Sequence, residues 1–164
     1  MITSRGRYAL KVMIDLSSTT QNPKQRRQDI SERQSIPSDY MDHILASLRE
    51  SGLIESVRGR NGGLQLARPA NEISVWDIFH AAEQSMAPVA CLEEGDGCMT
   101  SNACSTKGAW SEIYEAMKAT FSSFDLATLT AKYGNNVHNF VEVVEGVTAP
   151  KECRGPRKVA GASA

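Results

Sequence analysis

No stretch of this sequence approaches the ~18 consecutive apolar residues of a membrane-spanning helix, which excludes an integral helical membrane protein. Cysteine is scarce, with four in 164 residues, too few for a disulfide scaffold. The paired C-x2-4-C knuckles of zinc sites are missing. So are the Walker spacing Gly-x4-Gly-Lys-Ser/Thr and the dinucleotide glycine fingerprint. The three histidines, His43, His80 and His138, belong to no local nucleophile motif and form no metal-binding pair, so the chain is expected not to be an enzyme. Met1-Ile2-Thr3-Ser4-Arg5 lacks the apolar core of a signal peptide, which gives the expectation of a cytoplasmic location. What the sequence does have is ordinary globular usage, 41% hydrophobic and 23% charged, so it is not disordered throughout. Its length suits one domain, or a small domain with an appendage.

A formal net charge of −1 conceals an asymmetry. Residues 1–70 carry +4 and residues 71–164 carry −5. A basic half joined to an acidic half points the first half toward a polyanion. Nine of its eleven cations are Arg, the side chain whose fork suits phosphate and guanine. A solvated charged surface gives the same count, so charge alone does not decide.

Periodicity supplies the elements. Tyr8, Ala9, Val12, Met13 and Leu16 mark one apolar face of a helix over 4–18. Residues 19–25, with Asn22-Pro23, read as a loop. A short helix is predicted over 29–34, starting near Gln28 or Asp29, then a turn at Ser35-Ile36-Pro37-Ser38 with Pro37 placed to open the next helix. Met41, Ile44, Leu45 and Leu48 mark that helix, which Gly52 ends. The stretches 53–57 and 64–67 flank Arg58-Gly59-Arg60-Asn61-Gly62-Gly63 and read as a β-hairpin with a long tip. Ser74-Val75-Trp76-Asp77 is a capping box with Asp in the usual Glu place, opening a helix with Val75, Ile78, Phe79 and Ala82 inward. Three helices and a hairpin in about 70 residues form the plan of a winged helix-turn-helix domain, mainly α with a small hairpin.

A polar loop over 85–105 holds the cysteines, and a long helix follows over 106–133. On it Trp110, Ile113, Met117, Phe121 and Phe124 form a narrow seam. Such a seam is commonly packing, and outside a small domain it suits pairing with a second copy. The expected organisation is therefore a DNA-binding domain over 1–84, a cysteine loop over 85–105, a dimerisation helix over 106–133 and a flexible tail over 134–164.

In a helix-turn-helix unit the first turns of the second helix meet base edges. Here Ser38 and Tyr40 can donate, Asp42 can accept from cytosine N4, and His43 can reach a base edge or phosphate. At the hairpin tip Arg58 and Arg60 supply charge, and Gly62 with its neighbouring glycines permits close approach to a minor groove. A solvated helix face and a plain hairpin turn are the competing readings. Cys91, Cys98 and Cys104 follow C-x6-C-x5-C in one loop. That spacing can wrap an iron–sulfur cluster, with one coordination place left for a non-thiolate ligand. A thiol–disulfide switch and three ordinary thiols remain open beside it.

Taken together, several segments resemble the IscR/NsrR-like family of bacterial winged-helix iron–sulfur transcriptional regulators. They are Thr3-Ser4-Arg5-Gly6-Arg7-Tyr8-Ala9-Leu10, Ile30-Ser31-Glu32-Arg33-Gln34, residues 48–59, Asn61-Gly62-Gly63, the three-cysteine loop and Ala109-Trp110. The match runs from residue 1 to about residue 130. The resemblance implies a homodimer joined by the long helix and bound to a near-palindromic double-stranded DNA site. It puts Ser38, Tyr40, His43 and Arg58 on DNA-reading positions and Cys91, Cys98 and Cys104 on the ligands of a cluster, 2Fe–2S or 4Fe–4S. The sequence departs from the pattern at Lys107, where the family's IscR-like members carry a histidine three residues after the last cysteine; a protonated Lys has no lone pair to offer. The spacing between the first two cysteines is also one residue longer. Glu93, Glu94, Asp96, Ser105, His80, Cys153 or a small thiol are the alternatives for the fourth ligand. Arg7 and Tyr8, with Asp15 further on, occupy the neighbourhood from which other members recruit a ligand out of the partner's first helix.

Overall fold

A computed structural model describes residues 2–19, 24–59, 62–83, 85–92 and 104–134. Arg60, Asn61, Glu93, Glu94, Asp96, Cys98, Cys153 and the tail over 135–164 lie outside the described residues.

Helix α1, Ser4–Ser18, begins where the Thr3 hydroxyl accepts from the Arg5 backbone N–H. It buries Ala9, Val12, Met13 and Leu16 and packs against α2, α3, α4 and α6 as they follow. Helix α2, Arg27–Gln34, starts earlier than its periodicity suggests, because Ile30 is its only buried apolar residue. Its end is a left-handed Ser35 (φ 51°), from which the backbone N–H donates to the Glu32 carbonyl. Such a backbone favours glycine. Here the Ser31 hydroxyl donating to the Ile36 carbonyl at 2.7 Å helps to close the turn. Pro37 stands just ahead of helix α3, Ser38–Glu50, as its cap rather than its first residue. Met41, Ile44, Leu45 and Leu48 face the core, and Gly52 (φ 65°) ends the segment.

Strands β1, Ile54–Val57, and β2, Gly63–Leu66, pair antiparallel with Ile54 opposite Leu66 and Val57 opposite Gly63. A third strand-like contact joins them: Gln25 and Leu64 exchange both backbone hydrogen bonds, at 2.9 and 2.8 Å. Gly63 is what admits this neighbour, since a Cβ there would lie 2.7 Å from the Gln25 carbonyl oxygen. The hairpin is therefore anchored to the segment before α2, not merely hinged on α3.

Helix α4, Val75–Ala82, carries the predicted capping box, with Ser74 Oγ accepting from the Asp77 N–H and Asp77 Oδ2 from the Ser74 N–H. Its four inward residues are buried as expected. A 3-10 turn, Ala90–Leu92, contains Cys91. The single long helix predicted over 106–133 is two helices, which corrects that reading. Helix α5, Lys107–Ser122, stops short of Phe124, and helix α6, Leu126–Tyr133, restarts behind Asp125. Asp125 is a sequence-legible cap: its carboxylate accepts from the Thr128 N–H at 2.8 Å and hydroxyl at 2.7 Å, and these bonds hold its pKa below the usual carboxylate range. Between the helices the chain is stitched to the start of α4, with Val75 N–H donating to the Phe124 carbonyl and Leu126 N–H to Ile73. Leu126 is fully buried, so α6 belongs to the core around α1 and not to the seam of α5. Among the described residues no helix is long and apolar enough to cross a membrane.

Candidate nucleic-acid interface and cysteine loop

Ser38, Asp39, Tyr40, Asp42 and His43 are all exposed on the first turns of α3, opposite its buried face. Core packing on one side thus fixes the polar side toward solvent. Tyr40 is 48% exposed and meets the Tyr8 ring edge-on at 5.6 Å, so a residue of α1 limits where its hydroxyl can point. Arg58 is exposed at the wing. The tip is tight: Gly59 has φ 115°, the Gly62 N–H donates to its carbonyl at 2.9 Å, and a Cβ on Gly62 would collide with the Val57 carbonyl. Gly62 is therefore needed by the turn itself, whatever the tip contacts.

Asp42 is exposed on this face and is also held by a partner from α2. Arg27 grips it with both ends of the fork, Nε to Oδ1 at 2.8 Å and Nη2 to Oδ2 at 2.9 Å. Arg27 Nη2 also donates to the Ser38 carbonyl at 3.2 Å. The pair lies in a groove of about 320 Å³ between α3 and the wing, with Arg49, Ser56 and Gly63. Sequence reading did not single out Arg27 or Arg49. The only trace of Arg27 was the basic run at 26–27, since its partner lies fifteen residues away.

Behind this face sits a buried polar network. Asp15 is wholly buried and accepts from Arg33 Nε and Nη2 at 3.2 and 2.9 Å and from Gln34 Nε2 at 3.1 Å. Arg33 Nη2 also reaches Gln25 Oε1 at 2.9 Å. One carboxylate thereby ties α1 to α2 and, through Gln25, to the hairpin. Asp15 is consumed by this role and is not presented as a ligand.

At the other end of the domain, the Glu83 carboxylate accepts from the Thr3 N–H at 2.8 Å and from its hydroxyl at 2.9 Å. Gly6 lets α1 approach α4 here, because a Cβ would strike Glu83 and Phe79. The cysteine loop leaves directly from this junction. Cys91 and Cys104 are half-buried at its two described ends. Cys104 precedes α5, and its thiol pKa is lowered first by the Thr106 hydroxyl, 3.4 Å from Sγ, then by the Thr106 and Lys107 backbone N–H groups and the Lys107 charge. The lowering raises the share of thiolate, the form that binds metal or attacks a disulfide. Lys107 is the first residue of α5, and its charge lies close enough to Cys104 to favour the thiol's ionisation. Among the described residues no group of three His, Cys, Asp or Glu is assembled.

Helix α5 has no buried residue. Tyr114 meets Trp76 at 5.8 Å and Phe121 meets Phe79 at 5.4 Å, which seats one edge of its apolar face on α4. The other edge, Trp110 and Ile113, is 37 and 51% exposed, and Phe124, just beyond the helix, is 46% exposed. His80 is exposed and stacks at 5.9 Å on Trp76.

The three-helix core, the turn before α3 and the wing define a winged helix-turn-helix transcriptional regulator. Residues 2–132 match the Rrf2 family model, described as an iron-dependent transcriptional regulator, and the chain belongs to this family. Protein rrf2 of Nitratidesulfovibrio vulgaris is 35% identical over 128 residues, covering 78% of this chain and 85% of the relative. The transcriptional regulator IscR of Klebsiella pneumoniae is 33% identical, with 78% of each chain covered. Among solved structures, CymR of B. subtilis, described as a global cysteine regulator, superposes with a TM-score of 0.64 at 26% identity, covering 80% of this chain and 97% of its own. T. potens IscR superposes at 0.62 and 25%, covering 92% and 93%. These relatives are regulators of transcription, and the chain is of that kind rather than an enzyme.

Proposed function

We propose that this chain acts as a cytoplasmic homodimer on double-stranded DNA, and that an iron–sulfur cluster held by Cys91, Cys98 and Cys104 governs its grip. Cys104 carries the reading: its thiol lies 3.4 Å from the Thr106 hydroxyl just ahead of α5, a contact that lowers its pKa, in a family described as iron-dependent. Its environment fits thiolate ligation of iron, and Cys91 at the other described end of the loop supplies a second thiol. The bound cluster would supply a redox- and ligand-sensitive centre. Ser38, Tyr40, His43 and Arg58, with Arg60 and Gly62 of the tip, would face the duplex, two α3 helices meeting successive major grooves of a near-palindromic site. Trp110, Ile113 and Phe124 would meet the same residues of a second copy. Glu83, which holds Thr3, lies where a change in the loop would reach α1, and the stitch at Phe124 to Leu126 lies where a change in α5 would reach α4. Anaerobic purification tests the cofactor. A brown protein whose visible absorption is lost in Cys91→Ala supports it, and a colourless, iron-free preparation contradicts it while leaving DNA binding intact.

A second reading has one observation in its favour, the same lowered thiol together with structural likeness to a cysteine regulator. In it the loop is a thiol switch, and the protein needs no metal. Mass spectrometry after mild peroxide separates the two: a disulfide within the loop favours the switch, and three intact thiols exclude it.

A further inference from the structure

We infer that Arg27 is a specificity-determining residue, which sets what Asp42 can read by holding its carboxylate. The inference rests on the DNA-binding reading above. Arg27 occupies the first position of α2, where the helix dipole disfavours a cation. Its placement there is explained by its partners on α3, the two Asp42 oxygens and the Ser38 carbonyl. These contacts engage three of its five N–H donors and fix the guanidinium in one plane. The pair spans the start of the reading helix and lines the groove toward the wing, so a duplex seated on α3 meets the two side chains together.

Two consequences follow from the charge. An unpaired carboxylate on the reading face repels phosphates and the acceptor atoms of guanine and thymine, and it accepts only from cytosine N4 or adenine N6. Held by Arg27, the same carboxylate is neutralised and its lone pairs are shared with the fork. It then imposes little base preference, and the helix can approach the phosphates without a net repulsion. Arg27 accordingly trades base selectivity at one position for affinity. Lys cannot replace it, because an ammonium does not fill both oxygens and the Ser38 carbonyl in one plane.

The test is selection from a random-sequence duplex library, with sequencing, using full-length wild type, Arg27→Ala, Arg27→Lys and Arg27→Ala/Asp42→Ala. Circular dichroism checks that each is folded, and Arg27→Lys supplies the charge-retaining arm should Arg27→Ala fail to fold. The expected result is that Arg27→Ala binds about tenfold more weakly and gains a preference for cytosine or adenine at one position. Arg27→Lys shows the same gain more weakly, and the double variant loses it. Identical profiles for wild type and both single variants, or a gained preference that persists in the double variant, overturn the inference and leave the DNA-binding reading standing. A wild-type protein that enriches no sequence overturns both.

Discussion

At the scale of single residues, Asp15 and Arg58 make opposite predictions. Asp15 is buried and holds Arg33 and Gln34. Breaking a buried pair by removing one partner leaves a desolvated charge and costs about 3–5 kcal/mol. Asp15→Ala should therefore lower the unfolding free energy extrapolated from a urea titration by that amount, and DNA affinity should fall only as the folded fraction falls. The Arg58 side chain is exposed. Arg58→Ala should leave the circular dichroism spectrum and Tm unchanged while weakening duplex binding about tenfold, or about 1.4 kcal/mol. Unchanged affinity would remove Arg58 from the interface. Asp125 adds a pH dependence. Its folded pKa is depressed, so the stability it contributes is present above the ordinary carboxylate pKa and is lost as pH falls through the folded value. Asp125→Ala should lower Tm at pH 7, and the gap from wild type should close on acidification. A gap that is constant with pH would mean that the carboxylate's charge plays no part in capping α6.

Among the elements, those with local causes were legible in the sequence. The α4 capping box is four consecutive residues, and the α1, α3 and α4 faces follow from apolar spacing. What depends on a distant partner was hidden. Gln25 lies in what reads as a polar loop, yet it forms the third strand contact because Gly63 leaves room for its backbone. Nothing in the composition of residues 19–25 announces that. The break between α5 and α6 had a signal, Asp125 three residues before Thr128, which the continuous seam from Trp110 to Phe124 obscured. The proposed DNA-reading residues are legible as positions on a helix, whereas the Arg27 clamp on Asp42 needs α2 and α3 brought together. The hairpin anchor is testable. A side chain in place of the Gly63 hydrogen must displace Gln25, and overpacking of this kind costs about 1–3 kcal/mol. Gly63→Val should lower Tm accordingly and speed hydrogen exchange at the Leu64 amide, which donates to Gln25. Protection retained at Leu64 would show the anchor to be dispensable.

For the molecule as a whole, two regions of one chain matter: the proposed reading face on α3 and the wing, and the cysteine loop between the α1–α4 junction and the start of α5. Trp110 and Ile113 are exposed on α5, and in the proposed dimer this edge would double the reading face. Ile113→Glu places a charge on that edge, and sedimentation should then report a monomer that binds duplex weakly. A variant that sediments with wild type would move the dimer contact elsewhere. Beneath this lies the claim that the state of the loop is felt at the DNA. Anaerobic fluorescence-anisotropy titration of one selected duplex with cluster-loaded protein and with the same preparation stripped of iron measures it directly. The account predicts Kd values differing by roughly 5- to 150-fold, the usual span of coupling between two sites. Equal Kd values for the two forms would contradict it.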